Sequence, residues 1–264
     1  MTTRLLHVAD FHLRRNDVPA PLAALQALAG DLELELLLVT GEVAHRGKQD
    51  ELERAAELVR GLEVPFLAVP GNHDIPFTHA RFTTPFAAWE RAFGEREPVY
   101  RSDHLVVVGL NSVRPWRQQG GALEQAQLKR AAAEFQGVPS SALRVVALHH
   151  PLAAPPWRAR HKRPLRRRDA VLQSLAGAGV ELVVAGHVHQ AGIAERHEFE
   201  VLDEPRRSLV LATVPGFGRP RPRRKGEAQG VNVYDADEES LTVTTFAWDG
   251  NDLAQVGRRT FSRR

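Results

Sequence analysis

The sequence predicts an α/β fold, and three patterns in its apolar residues support this. Six short apolar runs before residue 190 each end in a polar cluster, as buried strands do where they lead into loops. Stretches with apolar residues three and four positions apart lie between these runs and indicate amphipathic helices. After residue 207 three more apolar runs follow with little helical signal, which predicts a second and more antiparallel sheet.

Each predicted strand is a run of apolar, partly β-branched residues that ends at a turn signal. The strands of the first part are Leu5–Ala9, Leu34–Val39, Val64–Val69, Leu105–Leu110, Leu143–Leu148 and Val180–Ala185. The C-terminal strands are Ser208–Val214, Val231–Tyr234 and Leu241–Trp248. We expect residues 1–264 to form one domain, in which the strands between residues 208 and 248 complete the second sheet.

The predicted helices are recognised by their spacing of apolar residues. In residues 48–62, Leu52, Ala55, Val59 and Leu62 fall on one face and charged residues on the other. The remaining helices cover residues 21–30, 84–94, 122–135 and 168–178. Helices that alternate with buried strands favour sheets whose faces are covered by helices.

The composition excludes several kinds of site. The 264 residues contain no Cys and 12 His, so disulfides, thiolate metal sites and Cys nucleophiles are ruled out. Lys and Arg number 35 against 32 Asp and Glu, a net charge of +3. No apolar run approaches the length of a membrane span and no signal peptide is recognisable, so a soluble cytoplasmic protein without membrane contact is expected.

Polar residues with metal-binding side chains directly follow the predicted strands. They are Asp10 and His12, Glu42, Asn72 with His73 and Asp74, His149 and His150, and finally His187 and His189. In α/β folds, sites form at the carboxyl ends of the strands, so these side chains could converge on one edge. Because the small Gly186 allows a sharp turn, both His187 and His189 could reach a common centre.

The ordered series Asp10-x-His12, Gly41-Glu42, Gly71-Asn72-His73-Asp74, His149-His150-Pro151 and Gly186-His187-x-His189 resembles the calcineurin-like metallophosphoesterases. The resemblance spans residues 4–189 and is closest to the branch that resembles cyclic-nucleotide phosphodiesterases. It implies a four-layer αββα fold, in which a β-sandwich of two sheets is flanked by helices. It also implies two metal ions bridged by a carboxylate and a hydroxide.

The family's ligand positions transfer residue by residue onto this sequence. The resemblance places Asp10, His12 and His189 on one metal, Asn72, His149 and His187 on the other, and Glu42 between them. His149 is preferred to His150 because the family's ligand lies two residues before the proline. His73 would face the phosphate and stabilise charge or protonate the leaving oxygen. His45, Asp74 and His150 would stand next to the site.

The resemblance implies two divalent metal ions as cofactors. Nitrogen and oxygen ligands without sulfur suit Mn, Fe, Zn, Co or Ni and do not choose among them, and we favour Mn. Two cations neutralise a phosphate ester and align it for in-line attack. Since a metal-bound water loses its proton near neutral pH, hydrolysis needs no side chain as general base.

The second motif departs from the family's pattern. Glu42 replaces the bridging Asp and is one methylene longer, and His45 stands where a carboxylate or amide is usual. Glu can still bridge or chelate, although the metals could shift or one could bind weakly. The alternative is a metal-poor, non-catalytic member of the family that binds or regulates.

Three functions stay open from the sequence. The first is a phosphodiesterase for a small, nucleotide-like or other low-molecular-weight diester. The second is a DNA nuclease, because residues 5–12 are similar to the DNA-repair nuclease branch, and the third is the non-catalytic member. Two Arg-rich runs, Arg158–Arg168 and Arg219–Lys225, are either phosphate- or nucleic-acid-binding segments or solvated loops. Trp116, Trp157 and Trp248 are candidates for stacking on a base. The sequence does not reveal the oligomeric state.

Overall fold

A computed structural model of the chain describes residues 2–117, 119–153, 162, 164–198, 209–218 and 227–263. The run Arg219–Lys225 and Trp157 lie outside the described residues. Of the run Arg158–Arg168, only Lys162 and residues 164–168 are described. The last three of these, Arg166, Arg167 and Arg168, are exposed to solvent.

The described residues form strands and helices that alternate over most of the chain. The strands are β1 (Thr3–Val8), β2 (Leu36–Val39), β3 (Phe66–Ala68), β4 (Val99–Arg101), β5 (Leu105–Leu110), β6 (Leu143–Leu148), β7 (Leu182–Ala185), β8 (Gly192–Glu195), β9 (Val210–Thr213), β10 (Gly230–Ala236), β11 (Ser240–Trp248) and β12 (Leu253–Ser262). The helices are α1 (Leu22–Asp31), α2 (Gln49–Arg60), α3 (Ala80–Thr83), α4 (Ala87–Phe93), α5 (Gln125–Glu134) and α6 (Arg168–Gly177). Each predicted strand and helix is thereby confirmed to within a few residues, the stretch 84–94 containing α4.

Two mixed sheets of six strands each make up the β-structure of the described chain. The first has the order β12-β11-β10-β1-β2-β3, and the second has the order β4-β5-β6-β7-β9-β8. In the first sheet β1, β2 and β3 are parallel, and in the second β5, β6, β7 and β9 are parallel. The two parallel blocks supply the strand ends that lead into the site.

The C-terminal strands correct the expectation that they complete a second, more antiparallel sheet. Only β9 joins the sheet of β5, β6 and β7. In contrast, β10 pairs antiparallel with β1 and continues through β11 to β12, which extends the sheet that the first strand begins. The sequence could not reveal this, because β10, which pairs with the second edge of β1, lies more than 220 residues further along the chain.

The layers are held together by three buried apolar clusters. One lies between the sheets and includes Leu5 and Leu38 from the first sheet and Val145 and Val184 from the second. The second cluster packs α1, α2 and α4 on the outer face of the first sheet. The third cluster packs α5 and α6 on the outer face of the second sheet. This helix–sheet–sheet–helix order confirms the four-layer αββα fold.

Helix α2 shows how the sequence determines these layers. Its residues Leu52, Ala55 and Val59 are buried against the first sheet, as their helical spacing predicts. At its N-terminus the Glu51 carboxylate accepts the backbone N–H of the N-cap residue Lys48 at 3.4 Å, as in a capping box, and also that of Arg46, which precedes the helix, at 2.7 Å.

Three strands were not predicted, and each lies at or near a sheet edge. β4 and β8 are short, and β12 exposes most of its residues, including charged side chains such as Arg258. Edge strands need little apolar surface, so their sequences lack the pattern that identifies a buried strand.

No helix among the described residues is long and apolar enough to cross a membrane.

Candidate metal centre

The predicted site residues occupy loops at the carboxyl ends of the parallel strands. Asp10 and His12 follow β1, Glu42 follows β2, Asn72 to Asp74 follow β3, His149 and His150 follow β6, and His187 and His189 follow β7. The loops pack on one another, since the Asp10 N–H donates to the Gly41 carbonyl at 2.9 Å. The structure thus brings together side chains that lie up to 179 positions apart in the sequence.

Many of these residues have an unusual backbone conformation. Seven non-glycine residues have a positive φ in the described part of the chain, and five are candidate ligands: Asp10, His12, Glu42, His187 and His189. A left-handed conformation disfavours L residues and persists where surrounding contacts enforce it, as at functional sites. The backbone here is held in turns that direct several side chains towards one centre.

The first group of candidate ligand atoms surrounds Oε2 of Glu42. This oxygen lies 3.0 Å from Nε2 of His12 and 3.4 Å from Nε2 of His189. The two imidazole nitrogens are 3.1 Å apart, and Nε2 of His189 is 3.4 Å from Oδ1 of Asp10. All four side chains are buried or nearly so.

The second group surrounds the other Glu42 oxygen, Oε1. It lies 3.5 Å from Nε2 of His149 and 3.7 Å from Nδ1 of His187, and these nitrogens are 3.1 Å apart. Asn72 is also buried, and its Oδ1 has no hydrogen-bond partner. The same region contains His150, which offers a ring nitrogen within 4.8 Å of those of His149 and His187.

These distances fit metal ions. Ligand atoms held at about 2.1 Å from one ion stand roughly 3.0–3.5 Å from one another, which matches most spacings in both groups. A buried amide oxygen without a partner, as on Asn72, costs about 1–3 kcal/mol unless a ligand satisfies it. The donor set of imidazole, carboxylate and amide therefore suits two divalent cations, with Glu42 facing both groups.

Two glycines permit the close approach of the loops. A Cβ on Gly71 would lie 2.4 Å from the Glu42 nitrogen and 2.9 Å from a ring carbon of His149. A Cβ on Gly186 would lie 2.7 Å from Cβ of Ala9. Larger residues at these positions would separate the loops that bring the ligands together.

Asp74 fixes the loop that presents Glu42. Its buried carboxylate accepts the backbone N–H groups of Gly71 at 2.7 Å, Glu42 at 2.8 Å and Ala44 at 2.8 Å. From the sequence, Asp74 could help to shape the loop or orient His73, or it could be a turn residue that accepts backbone N–H groups. The contacts are backbone N–H groups, as for a turn residue, and they also tie the Gly71 loop to the Glu42 segment.

We expect Asp74→Asn to destabilise the protein by about 1–3 kcal/mol, because an amide N–H₂ cannot accept the N–H groups that the carboxylate accepts. Chemical denaturation would measure this loss. Asp237→Asn is the matched control, since Asp237 accepts the N–H groups of Glu239 and Ser240 in an exposed turn where water can replace it. Equal, small losses in both variants would show that Asp74 does not hold the loop.

His73 lies beside the two ligand groups. Its Nδ1 donates to the backbone carbonyl of His45 at 2.8 Å, which directs Nε2 towards Glu42, 3.9 Å from Oε1. Its ring makes an edge contact with that of His12 at 4.9 Å between centroids. His45, expected near the site, thus contributes its carbonyl to the orientation of His73.

Hydrogen bonds orient both histidines that precede Pro151. Nδ1 of His149 donates to the Thr40 carbonyl at 2.7 Å, so its Nε2 presents a lone pair to the second group. Nδ1 of His150 pairs with the Ser112 hydroxyl at 2.9 Å, and its Nε2 is buried without a hydrogen-bond partner. The geometry is consistent with His149 as the ligand and His150 as its neighbour, the assignment expected from the resemblance.

Burial sets the protonation of the centre. It lowers the pKa of His187 to about 3 and that of His189 well below its usual value, so both rings are neutral and can offer lone pairs. Burial and the charge of Glu42 raise the pKa of Asp10. Burial also opposes ionisation of Glu42, but the charges of Lys162, His73 and His12 outweigh it and lower the pKa of Glu42. Metal binding would therefore displace a proton from this carboxyl pair.

Lys162 is a residue of the site that the sequence did not single out. It is buried, and its Nζ lies 3.5 Å from Nδ1 of His187. In the sequence it is one member of the run Arg158–Arg168, and nothing in its spacing separates it from its neighbours. The structure brings this one cation to the centre, where it adds positive charge beside Glu42.

A second set of residues that the sequence did not predict contacts the candidate ligands or the residues that orient them. His7, buried in β1, bonds the Tyr234 hydroxyl at 2.9 Å and the Thr40 hydroxyl at 2.8 Å. Thr40 in turn orients His149 through its carbonyl. On the other side, Oε2 of Glu227 lies 3.7 Å from Nδ1 of His189. Such partners commonly orient metal-binding imidazoles.

Comparison with known proteins shows the family of this chain. The profile of the calcineurin-like phosphoesterase family matches residues 3–191. A probable cyclic nucleotide phosphodiesterase from Synechococcus is 30% identical over 209 residues, which cover 74% of this chain and 77% of that protein. A 3′,5′-cyclic adenosine monophosphate phosphodiesterase from Vibrio vulnificus is 26% identical over 71% of this chain and 70% of its own.

Solved structures share the fold at low sequence identity. A purple acid phosphatase from yellow lupin superposes with a TM-score of 0.76 at 13% identity, covering all of this chain and 54% of that one. A Vps29 mutant from Entamoeba histolytica gives a TM-score of 0.51 at 12% identity, covering 98% of this chain and 99% of its own. These similarities concern the fold alone.

Proposed function

Because this chain belongs to the calcineurin-like phosphoesterase family, we propose that it is a metal-dependent phosphodiesterase for small, nucleotide-like or other low-molecular-weight diesters. The central observation is the position of Glu42, whose two carboxylate oxygens each face a separate group of ligand atoms. This arrangement supports a dinuclear centre of the kind that hydrolyses phosphate esters.

The resemblance divides the candidate ligands between two ions, and the two groups of atoms around Glu42 support this division. Asp10, His12 and His189 would hold one ion, and Asn72, His149 and His187 the other, with Glu42 shared. Two such ions, of which Mn is favoured, neutralise the charge of a bound phosphate and activate water for in-line attack. Turns with positive φ and buried hydrogen bonds hold the side chains that would bind both ions in place before substrate arrives.

Besides the candidate ligands, His73 and Lys162 would act on a bound phosphate ester, His73 as a proton donor and Lys162 as a positive charge. Because the His45 carbonyl holds a hydrogen on Nδ1 of His73, the group available for transfer is the N–H at Nε2, which would protonate the leaving oxygen. Lys162 would add a buried positive charge near the second group and attract the anionic phosphate.

The preference for diesters is supported by the names of the relatives. Two of the similar proteins are called cyclic nucleotide phosphodiesterases, and they match about three quarters of this chain. Cleavage of an alkyl phosphate, whether diester or monoester, releases an alkoxide that benefits from protonation, which would give His73 a role with either substrate. The substitution of Glu for the usual Asp is compatible with activity, because the longer side chain still presents an oxygen to each group.

The assay compares three substrates after Mn²⁺ loading: bis(p-nitrophenyl) phosphate, p-nitrophenyl phosphate and single-stranded DNA. We expect the diester to be hydrolysed fastest, with activity lost after chelation and restored by Mn²⁺. Faster cleavage of DNA would favour the nuclease alternative. Two bound metals without turnover of any of the three would favour a non-catalytic member and contradict the proposal.

A further inference from the structure

Two large aromatic side chains are exposed on segments that Arg81 joins, and one of them, Phe77, contacts the site residue His73. Phe77 is 46% exposed and Trp116 is 69% exposed. Phe77 follows β3, which leads into the site, and Trp116 follows β5, whose next residues include Ser112, the partner of His150. Isolated exposed aromatics are ordinary, but rings that border a polar site indicate contact with a ligand.

Phe77 continues the site outward from His73. Its ring lies 5.4 Å from that of His73 between centroids, with the planes at 48°. His73 is itself 3.9 Å from Glu42 and in edge contact with His12. A ligand whose phosphate lay at the ligand groups could therefore reach Phe77 beyond His73.

One buried arginine holds the segments of both aromatics. Arg81 is 6% exposed, and its guanidinium lies 5.6 Å from the centroid of the Phe77 ring. The same guanidinium donates to the carbonyls of Pro115 at 2.5 Å and Arg117 at 3.2 Å, on either side of Trp116. Phe77 and the backbone that presents Trp116 are thus fixed relative to one another before any ligand binds.

The charge of Arg81 favours an anionic ligand. Its hydrogen-bond acceptors are backbone carbonyls, and no carboxylate within the described residues forms an ion pair with it. The positive charge of Arg81 is therefore not cancelled by a carboxylate among the described residues and lies beside the Phe77 ring. A ligand with both a phosphate and a flat ring satisfies the cations and the aromatics together.

We propose that Phe77 and Trp116, fixed by Arg81, form a subsite that stacks against the base of a nucleotide phosphodiester. The inference rests on the proposed function and narrows its substrates to diesters that carry a base. A nucleotide holds its base one sugar ring away from the phosphate, and Phe77 stands one side chain beyond His73. Stacking accepts any base, because every base has a π-face.

Binding of two product-like probes to the Mn²⁺-loaded full-length chain tests this subsite without turnover. Adenosine 5′-monophosphate carries a base, whereas ribose 5-phosphate has the same phosphate and sugar without one. We expect the first to bind at least about 10-fold more tightly, since a base–aromatic stack contributes this much or more. Calorimetry, with quenching of tryptophan fluorescence as a second signal, gives both affinities.

The variants Phe77→Ala and Trp116→Ala are expected to lose about 10-fold in affinity for adenosine 5′-monophosphate while ribose 5-phosphate binds unchanged. Phe77→Trp should restore the affinity, because it restores a ring. Phe82→Ala is the matched control, since Phe82 is 64% exposed on the nearby helix α3 and lies outside the subsite. It should change neither affinity.

The outcomes separate the subsite from the enzymatic activity. Equal binding of the two probes to the unaltered chain, or equal losses for both probes in the variants, overturns the subsite even if diesters are hydrolysed. Preferential binding of the nucleotide without hydrolysis of any diester supports the subsite and contradicts the proposed function. Preference for an alkyl phosphate over both probes would show that the rings bind an apolar chain and also overturn the inference.

Discussion

Glu42→Gln is expected to reduce the metal content of the protein from two ions per chain to one or none. The amide keeps the length of the side chain but removes the negative charge that both ligand groups share. We expect kcat/KM for bis(p-nitrophenyl) phosphate to fall by more than about 100-fold, which exceeds the loss when only a partner of a ligand is removed. Elemental analysis and steady-state kinetics measure both effects.

Two further substitutions sharpen this test. Glu42→Asp introduces the residue usual in the family and should retain two ions, because a carboxylate remains between the groups. Glu63→Gln is the matched control, since Glu63 is an exposed glutamate that also has a positive φ, 55° against 53° for Glu42. Unchanged metal content and turnover in Glu42→Gln would show that Glu42 is not a ligand.

His73→Gln is expected to lower kcat by roughly 10²–10⁴-fold, the usual contribution of a general acid. The metal content should stay at two, because His73 faces the ligand groups without belonging to either. The glutamine amide can still donate a hydrogen bond but cannot transfer a proton. A loss of metal in this variant would contradict the assignment and make His73 part of the metal site.

Substrates with different leaving groups distinguish proton transfer by His73 from stabilisation of the phosphate charge by His73. A p-nitrophenolate leaves readily without a proton, whereas an alkoxide, such as that from a cyclic nucleotide, does not. His73→Gln should therefore slow the hydrolysis of alkyl diesters far more than that of bis(p-nitrophenyl) phosphate. Equal losses for the two substrates would mean that His73 stabilises the phosphate charge and protonates nothing.

The sequence predicted which of these side chains come together because the residues directly follow strands. Asp10, Glu42 and His149 each come after an apolar run that is buried in a sheet, so strand ends and ligand candidates are recognised together. The ordered series of motifs indicated that these residues, although far apart in the sequence, belong to one site. The helix–strand alternation likewise predicted the layers, since each apolar face needs a partner face.

Contacts that form only on folding could not be predicted. Asp74 supports Glu42 from 32 positions away, and Thr40 orients His149 from 109 positions away, in both cases through backbone atoms. Backbone groups have no sequence signature. Lys162 lies in a run of arginines, and nothing in the sequence distinguishes it from them. The placement of β10 to β12 depends on which edge of β1 is free to pair. Tertiary contacts decided each of these features.

The exchange of Asp for Glu at position 42 acquires a physical meaning from the structure. The extra methylene carries the carboxylate further from the backbone, and its two oxygens face different groups, Oε2 towards His12 and His189 and Oε1 towards His149 and His187. The carboxylate can therefore bridge through both oxygens. This arrangement favours an active dinuclear centre over a metal-poor member of the family.

The most direct test is the anomalous scattering of a crystal grown with Mn²⁺. Two peaks are predicted, one beside each Glu42 oxygen. The first should be bordered by Asp10, His12 and His189, and the second by Asn72, His149 and His187. A single peak, or a second peak bound without Glu42, would contradict the dinuclear centre on which the proposed activity depends.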